Sequence, residues 1–245
     1  QMSIAQLEAM PLFNRGGNSL KLNLLNTALT GIIAEFKRQS PSKGIINDTA
    51  SVADVVNAYT KYGAAGISVL TDKTFFGGTI DDLSIAVKNP IPVLRKEFII
   101  DEFQLIEAKA YGASVILLIA ACLTPTETHA LAKFAKSLGL EVLLEIHDAT
   151  ELGHISETVD FVGINNRSLK SFEVNIEHSL ALKHQLPKGI LSIAESGIYS
   201  VETFKLLKKE GFDGFLMGEY FMKQANPAAA FEAFVTSIKT DNNAI

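Results

Sequence analysis

Residues 31–44 read GIIAEFKRQSPSKG. The apolar run Ile32-Ile33-Ala34 leads directly into Glu35, Phe36 and Lys37, and a turn carrying Ser40, Pro41, Ser42 and Gly44 follows. An almost wholly apolar run of this length is what a parallel strand buried on both faces requires. Residues two apart on a strand share a face, so Glu35 and Lys37 leave its C-terminal end side by side. Buried charge is costly unless it is paired. Taken alone, the pair reads equally well as an ordinary ion pair at the solvated end of a strand. The rest of the chain has to decide between the two.

Working outward, the same unit of short apolar strand, loop and amphipathic helix recurs. Strands are expected at 66–71 (GISVLT), 92–98 (PVLRKEF), 114–120 (SVILLIA), 140–146 (LEVLLEI), 160–165 (DFVGIN), 190–196 (ILSIAES) and 213–218 (DGFLMG). Val52, Val55, Val56 and Tyr59 mark a helix over 51–62 by their i, i+3, i+4, i+7 spacing. Asp101 with Gln104, and Thr124-Pro125 with Glu127, are capping signatures for two further helices. Asp148 and Glu151 are expected to cap another, and Pro227, Phe231, Phe234 and Val235 mark a last one over 227–238. Eight buried strands alternating with helices give an α/β protein, a single (β/α)8 TIM barrel over 31–245. A doubly wound open sheet is the alternative, but no GxGxxG fingerprint follows the first strand. Before the barrel, 3–13 and 19–29 read as short helical pieces, so residues 1–30 form an N-terminal segment whose leucines cover one end of the fold. The chain opens Gln1-Met2 and shows no signal-like charged and apolar run; a first residue other than Met suggests trimming or a cloning remnant.

At 245 residues, with 47% hydrophobic and 20% charged residues, the chain has the composition of a soluble cytoplasmic protein with a sizeable core. A net charge of −5 argues against a general nucleic-acid surface, and no apolar run is long enough for a membrane. A monomer is expected, since no exposed apolar stripe stands out. Cys122 is the single cysteine; following an apolar run, it is expected to be a buried, inert thiol. His129, His147, His154, His178 and His184 show no metal-ligand spacing and are read as surface or loop residues.

Active sites of such barrels lie at the C-terminal strand ends. Those ends supply Glu35 and Lys37, Thr71, Lys96 and Glu97, Glu145, Asn165 and Arg167, Glu195 and Ser196, and Gly218. So many ionisable groups meeting at one mouth must neutralise each other or a ligand. Two lysines among three glutamates suggest acid–base chemistry on an anionic substrate. Ser196-Gly197 and Gly218-Glu219, the latter opening a short helix over 218–222, sit where barrels commonly bind phosphate through backbone N–H groups.

These segments resemble a known family. IIAEFKRQSPSKG (32–44), PVLRKEFIID (92–101), EVLLEIHD (141–148), GINNRSL (163–169), IAESGI (193–198) and FLMGEYFM (215–222) are similar, in order over residues 30–240, to indole-3-glycerol-phosphate synthase. The resemblance implies a carbon–carbon lyase of tryptophan biosynthesis that uses no metal or organic cofactor. Its substrate would be 1-(2-carboxyphenylamino)-1-deoxyribulose 5-phosphate, and its products indole-3-glycerol phosphate, carbon dioxide and water. It implies Lys96 as general acid, Glu145 as general base, and Lys37 as a second lysine holding the substrate carboxylate and assisting dehydration. Glu35 would orient Lys37, Asn165 and Arg167 would fix the carboxylate, and Glu195 would contact the sugar hydroxyls. Ser40, Ser196, Gly197, Gly218 and the Glu219 amide would hold phosphate, with the Glu219 carboxylate turned away. Phe76, Phe98 and Leu117 are candidates to pack the aromatic ring, with core packing as their alternative role. Many members carry a longer N-terminal helix across the barrel mouth. Two rival readings remain: another phosphate-binding barrel enzyme such as phosphoribosylanthranilate isomerase, and a non-catalytic barrel acting as a binding partner.

Overall fold

The computed structural model describes residues 2–167 and 173–240, so Ser168 and Leu169 of the GINNRSL segment lie outside the described residues. Eight parallel strands close on themselves: β1 (Ile32–Phe36), β2 (Gly66–Leu70), β3 (Val93–Lys96), β4 (Val115–Ile119), β5 (Glu141–Ile146), β6 (Phe161–Asn165), β7 (Leu191–Glu195) and β8 (Gly214–Met217). β1 pairs with both β2 and β8, which shuts the barrel. This is the (β/α)8 architecture expected from the alternation.

Strand parity decides what goes where. Ile32, Ala34 and Phe36 face the helices, as do Ile116, Leu118, Val142 and Leu144. The other parity fills the interior: Ile33, Leu94, Val115, Leu117, Leu143, Phe161, Ile193 and Leu216 form one buried cluster. One step further toward the C-terminal ends, the same inward parity carries Glu35, Lys96, Glu145, Asn165 and Glu195. On β1, β3, β5 and β7 the inward face is therefore apolar below and ionisable above.

The N-terminal segment seals the lower end. α1 (Ile4–Glu8) packs Leu7 against Ile106 and Ala110 of the helix α6 (Glu102–Ala110). α2 (Leu20–Leu25) joins the interior cluster through Leu20 and Leu24. Glycines make room there: a Cβ on Gly66 would stand 3.0 Å from Leu20 Cδ1, and one on Gly214 3.1 Å from Leu24 Cδ2. Glu141, at the start of β5, accepts from the Ser19 hydroxyl at 2.6 Å and from the Leu20 N–H at 2.7 Å, capping α2. Both helices are shorter than the windows 3–13 and 19–29, because Pro11 cannot continue α1 and Asn26 is extended at the end of α2.

The outer helices begin with α3 (Val52–Lys61), α4 (Lys73–Phe76) and α5 (Ile80–Ala86). After α6 come α7 (Pro125–Ser137), α8 (Ile176–Lys183), α9 (Val201–Lys209), α10 (Glu219–Met222) and α11 (Pro227–Thr240). The capping boxes at Asp101 and Thr124 form as the residue types predict. The helix expected after β5 is instead a 3-10 turn, Ala149–His154, capped by Asp148. The short connection to β6 leaves no room for several α-helical turns, and short 3-10 pieces serve as such connectors.

One sequence reading is corrected and a second is narrowed. Cys122 is exposed, on the 3-10 turn Ala120–Cys122 after β4; partial desolvation, with Glu145 and Glu151 nearby, nonetheless keeps its thiol above the ordinary value. His154 is buried and meets the Thr128 hydroxyl at 2.9 Å, and His147 is largely buried beside Glu145. Both histidines lie on the connection between β5 and β6, whose compact turn folds back against the barrel. Among the described residues no helix is long and apolar enough to cross a membrane.

Candidate active site

At the centre of the mouth stands Lys96, the last residue of β3. Its Nζ lies 2.6 Å from Glu195 Oε2, 3.7 Å from Glu145 Oε2 and 3.8 Å from Glu35 Oε2. These four side chains come from β3, β7, β5 and β1, and parity alone aims them inward. Burial works against the ammonium, but three carboxylates outweigh it, Glu195 first, and raise the Lys96 pKa above its ordinary value. The lysine is held charged. Sequence left this balance open, and the geometry closes it.

The carboxylates differ among themselves. Burial would raise Glu35, but Lys37 at 2.8 Å and Lys96 bring it below the usual range. Burial would likewise raise Glu145; Lys96, His147 and Asn165 together lower it to about 2. Glu195 goes the other way. Burial and the neighbouring Glu145 and Glu35 overcome the help of Lys96 and push it up to about 7. Its Oε1 is buried with no hydrogen-bond partner. Space for that oxygen comes from Gly163 on the adjoining strand, where a Cβ would stand 2.0 Å from it.

A pocket opens over this cluster. Glu35, Lys37, Ser40, Phe76, Lys96, Phe98, Leu117, Glu145, Asn165, Arg167, Ser196, Gly197, Gly218 and Glu219 all line it. Of the residues to which the family resemblance gives a role, Glu195 alone is absent from the lining. It is fully buried beneath Lys96, with which it forms an ion pair. The apolar wall comes from Phe76 and Phe98, with centroids 6.2 Å apart, and from Leu117. Asn165 donates to Glu145 Oε1 at 2.9 Å, while its own Oδ1 accepts from the Arg167 N–H.

The loop after β1 is braced before it reaches the pocket. Arg38 grips Asp82 with two nitrogens, at 2.5 and 2.9 Å, and its guanidinium lies 5.0 Å from the centre of the Phe36 ring. Gln39–Ser40 then pairs antiparallel with Gly44–Ile45. The hairpin delivers the Ser40 hydroxyl, buried and without a hydrogen-bond partner, to the pocket wall.

At the β7 and β8 ends the backbone is unusual. Ser196 has φ 63°, the one positive φ at a non-glycine among the described residues, and Gly197 follows at φ 73°. Such a conformation costs roughly 1 kcal/mol or more for a residue with a Cβ and marks places where backbone geometry is used. Asn166 secures it by donating to the Ser196 carbonyl at 2.7 Å. Gly218 is required by packing: a Cβ there would stand 2.8 Å from the Glu35 Cβ. α10 begins immediately afterward, and Gly218, Glu219 and Tyr220 at its start line the pocket.

One orientation differs from expectation. The Glu219 carboxylate does not turn away; it accepts from Arg167 Nη2 at 2.9 Å and from the Tyr199 hydroxyl at 3.3 Å. Arg167 also reaches the Ser42 hydroxyl at 2.5 Å and Tyr199 at 2.7 Å. The reason is electrostatic: a carboxylate and a guanidinium that both border the mouth pair with each other. The residue missed by sequence reasoning is His147. The signal was available, since it lies two positions beyond Glu145 and so shares its face.

Comparison with known proteins gives the family. The family model for indole-3-glycerol phosphate synthase matches residues 2–234. The chain is 47% identical over 213 residues to an indole-3-glycerol phosphate synthase of Bacteroides thetaiotaomicron, covering 86% of this chain and 81% of that protein. It is 43% identical over 240 residues to one from Exiguobacterium sibiricum, covering 97% and 91%. Among solved structures, the tryptophan synthase alpha subunit of Legionella pneumophila superposes with a TM-score of 0.67 at 13% identity, over 93% of this chain and 99% of that one. That likeness speaks for the barrel fold only. With a family match over nearly its whole length and a charged barrel mouth drawn from the same six sequence segments, the chain belongs to the indole-3-glycerol phosphate synthase family.

Proposed function

We propose that this barrel mouth closes the pyrrole ring of 1-(2-carboxyphenylamino)-1-deoxyribulose 5-phosphate, then releases carbon dioxide and water to give indole-3-glycerol phosphate. The observation that carries the reading is the Lys96 ammonium, charged and held among three glutamates on the pocket floor. A ketone under attack by a weak carbon nucleophile needs a proton delivered as its oxygen gains charge. Lys96 supplies that proton while the ring carbon bearing the carboxylate forms the new carbon–carbon bond. The ring is then cationic, and loss of carbon dioxide returns the bonding pair to it. In the final step the hydroxyl leaves with a proton, as water, and Glu145 takes the proton released from the five-membered ring.

Lys37 holds the carboxylate that will leave and is the second acid within reach of the departing hydroxyl. Glu35 fixes Lys37 through the 2.8 Å contact. Glu195 pairs with Lys96 from below, and the sugar hydroxyls are its partners once substrate is bound. Phe76, Phe98 and Leu117 sandwich the aromatic ring in an orientation from which ring closure is direct. Phosphate is assigned to Ser40, Ser196, Gly197, Gly218 and the Glu219 N–H, at the corner where strained backbone meets the start of α10. The Glu219 side chain lies close by, and its pairing with Arg167 limits repulsion of the anion. On binding, the substrate carboxylate competes with Glu219 for Arg167 while Asn165 steers it. A cytoplasmic enzyme working as a monomer completes the reading.

The test is direct. Purified protein is mixed with fresh carboxyphenylamino-deoxyribulose phosphate in the presence of a chelator, and indole absorbance and fluorescence are followed. Appearance of the indole signal is expected; its absence with competent substrate overturns the reading.

A further inference from the structure

His147, largely buried beside Glu145, is an ionisable group to which the mechanism above gives no task. Its Nε2 is 3.3 Å from Glu145 Oε1, and its Nδ1 is 3.7 Å from Glu151 Oε2. Both ring nitrogens are shut off from solvent, and neither makes an aligned hydrogen bond within the protein. The ring is thus held between two carboxylates by charge. Its backbone is pinned as well: Glu151 Oε2 accepts from the His147 N–H at 2.6 Å, and the His147 carbonyl meets His178 Nε2 at 2.8 Å. The remaining charged or titratable groups around it are Asp148 on the 3-10 turn, His178 on α8, Cys122 after β4, and Lys96 beyond Glu145. Burial disfavours protonation of the ring, yet Glu145 and Glu151 prevail and lift it to about 9.

The two oxygens of Glu145 face different ways. Oε1 accepts from Asn165 Nδ2 at 2.9 Å and faces His147, while Oε2 looks toward Lys96 at 3.7 Å. A carboxylate held on one oxygen by two neighbours offers the other in a fixed direction. We propose that His147 is a positioning residue for Glu145, a cationic bracket, itself braced by Glu151, that turns Oε1 to the wall and keeps Oε2 presented to the substrate. This rests on the reading of Glu145 as the base. Without the imidazolium, Oε1 is held by Asn165 alone, and the carboxylate both rotates more freely and takes up a proton more readily.

The experiment measures kcat and KM against pH for His147→Ala, His147→Gln and Glu145→Gln. It also follows the His147 imidazole of the unmodified protein by NMR titration. His147→Ala should lower kcat roughly tenfold, a fraction of what a general base contributes, with KM changed less than about twofold. The acidic limb of its kcat profile should move to higher pH, because Glu145 has lost a positive neighbour. His147→Gln can still donate to Oε1, so it should recover part of kcat while leaving the limb displaced. A purely structural histidine would lower thermal stability and leave the limb in place, and that result in a folded His147→Ala overturns the proposal. A neutral His147 ring near neutral pH in the unmodified protein overturns it too, with no variant needed. Full turnover by Glu145→Gln removes the base assignment and the bracket with it. Loss of turnover there, together with an unmoved profile in His147→Ala, overturns the bracket alone.

Discussion

At the lower end of the barrel, Glu141 sets its carboxylate against the Ser19 hydroxyl and the Leu20 N–H, and leucines fill the space between the strands. At the upper end of the same strands, Glu195 keeps one oxygen buried without a partner and shares a lysine with two other glutamates. Glu141 caps a helix whose N–H groups would otherwise lack partners, so its charge is put to structural use. The mouth is assembled at a cost to stability: buried carboxylates crowd one another, Ser196 is strained, and Glu195 is pushed toward neutrality. Charge satisfied locally serves folding; charge left under-satisfied waits for a substrate. In a barrel the two can coexist because the apolar layer of Ile33, Leu94, Leu143 and Ile193 separates them.

Substitutions at the two ends should therefore separate activity from stability. The largest effect on activity is expected from Lys96→Met. It should reduce kcat by at least about a thousandfold, within the range for loss of a general acid, while substrate still binds. Near-normal kcat in that variant would take Lys96 out of the acid role and dissolve the contrast.

Gly163→Ala should have an intermediate effect. The new Cβ meets Glu195 Oε1 at 2.0 Å, which must displace the counter-charge of Lys96. Overpacking of this kind costs about 1–3 kcal/mol, readable by denaturant unfolding. A fall in kcat with KM nearly constant is expected beside it. Stability loss with kcat intact would show that Glu195 matters only to packing.

The smallest effect on turnover is expected from Leu20→Ala at the lower end. Emptying this buried site should cost about 2–5 kcal/mol of stability. In protein that remains folded, kcat should stay within about twofold of the parent, because the apolar layer lies between α2 and the chemistry. A large drop in kcat without unfolding would show that the two ends are coupled.

Much of this was legible in the chain itself. GIIAEF, GISVL, VILLI and EVLLEI could be read as buried strands because a parallel strand covered on both faces must be apolar at nearly every position. The mouth residues were legible because they end those strands, and parity gave Glu35 and Lys37 a common face. What escaped depended on neighbours distant in sequence. Glu219 was expected to turn outward, but Arg167, from another strand end, draws it in. Glu195 ends its strand like the other mouth residues, but the missing Cβ of Gly163 lets it sink beneath Lys96. Cys122 follows an apolar strand, yet its turn lifts it into solvent.

By itself the sequence determined the barrel, the order of its strands and the set of ionisable groups delivered to one end, because alternation and strand parity are local rules. The tertiary structure alone decided which charges each group feels. Lys96 is held protonated, Glu145 strongly acidic and Glu195 well above the usual carboxylate range by distances of a few ångströms between side chains on different strands. Coulomb interactions and burial act through space, and the order of residues along a chain does not fix those distances until the barrel has closed.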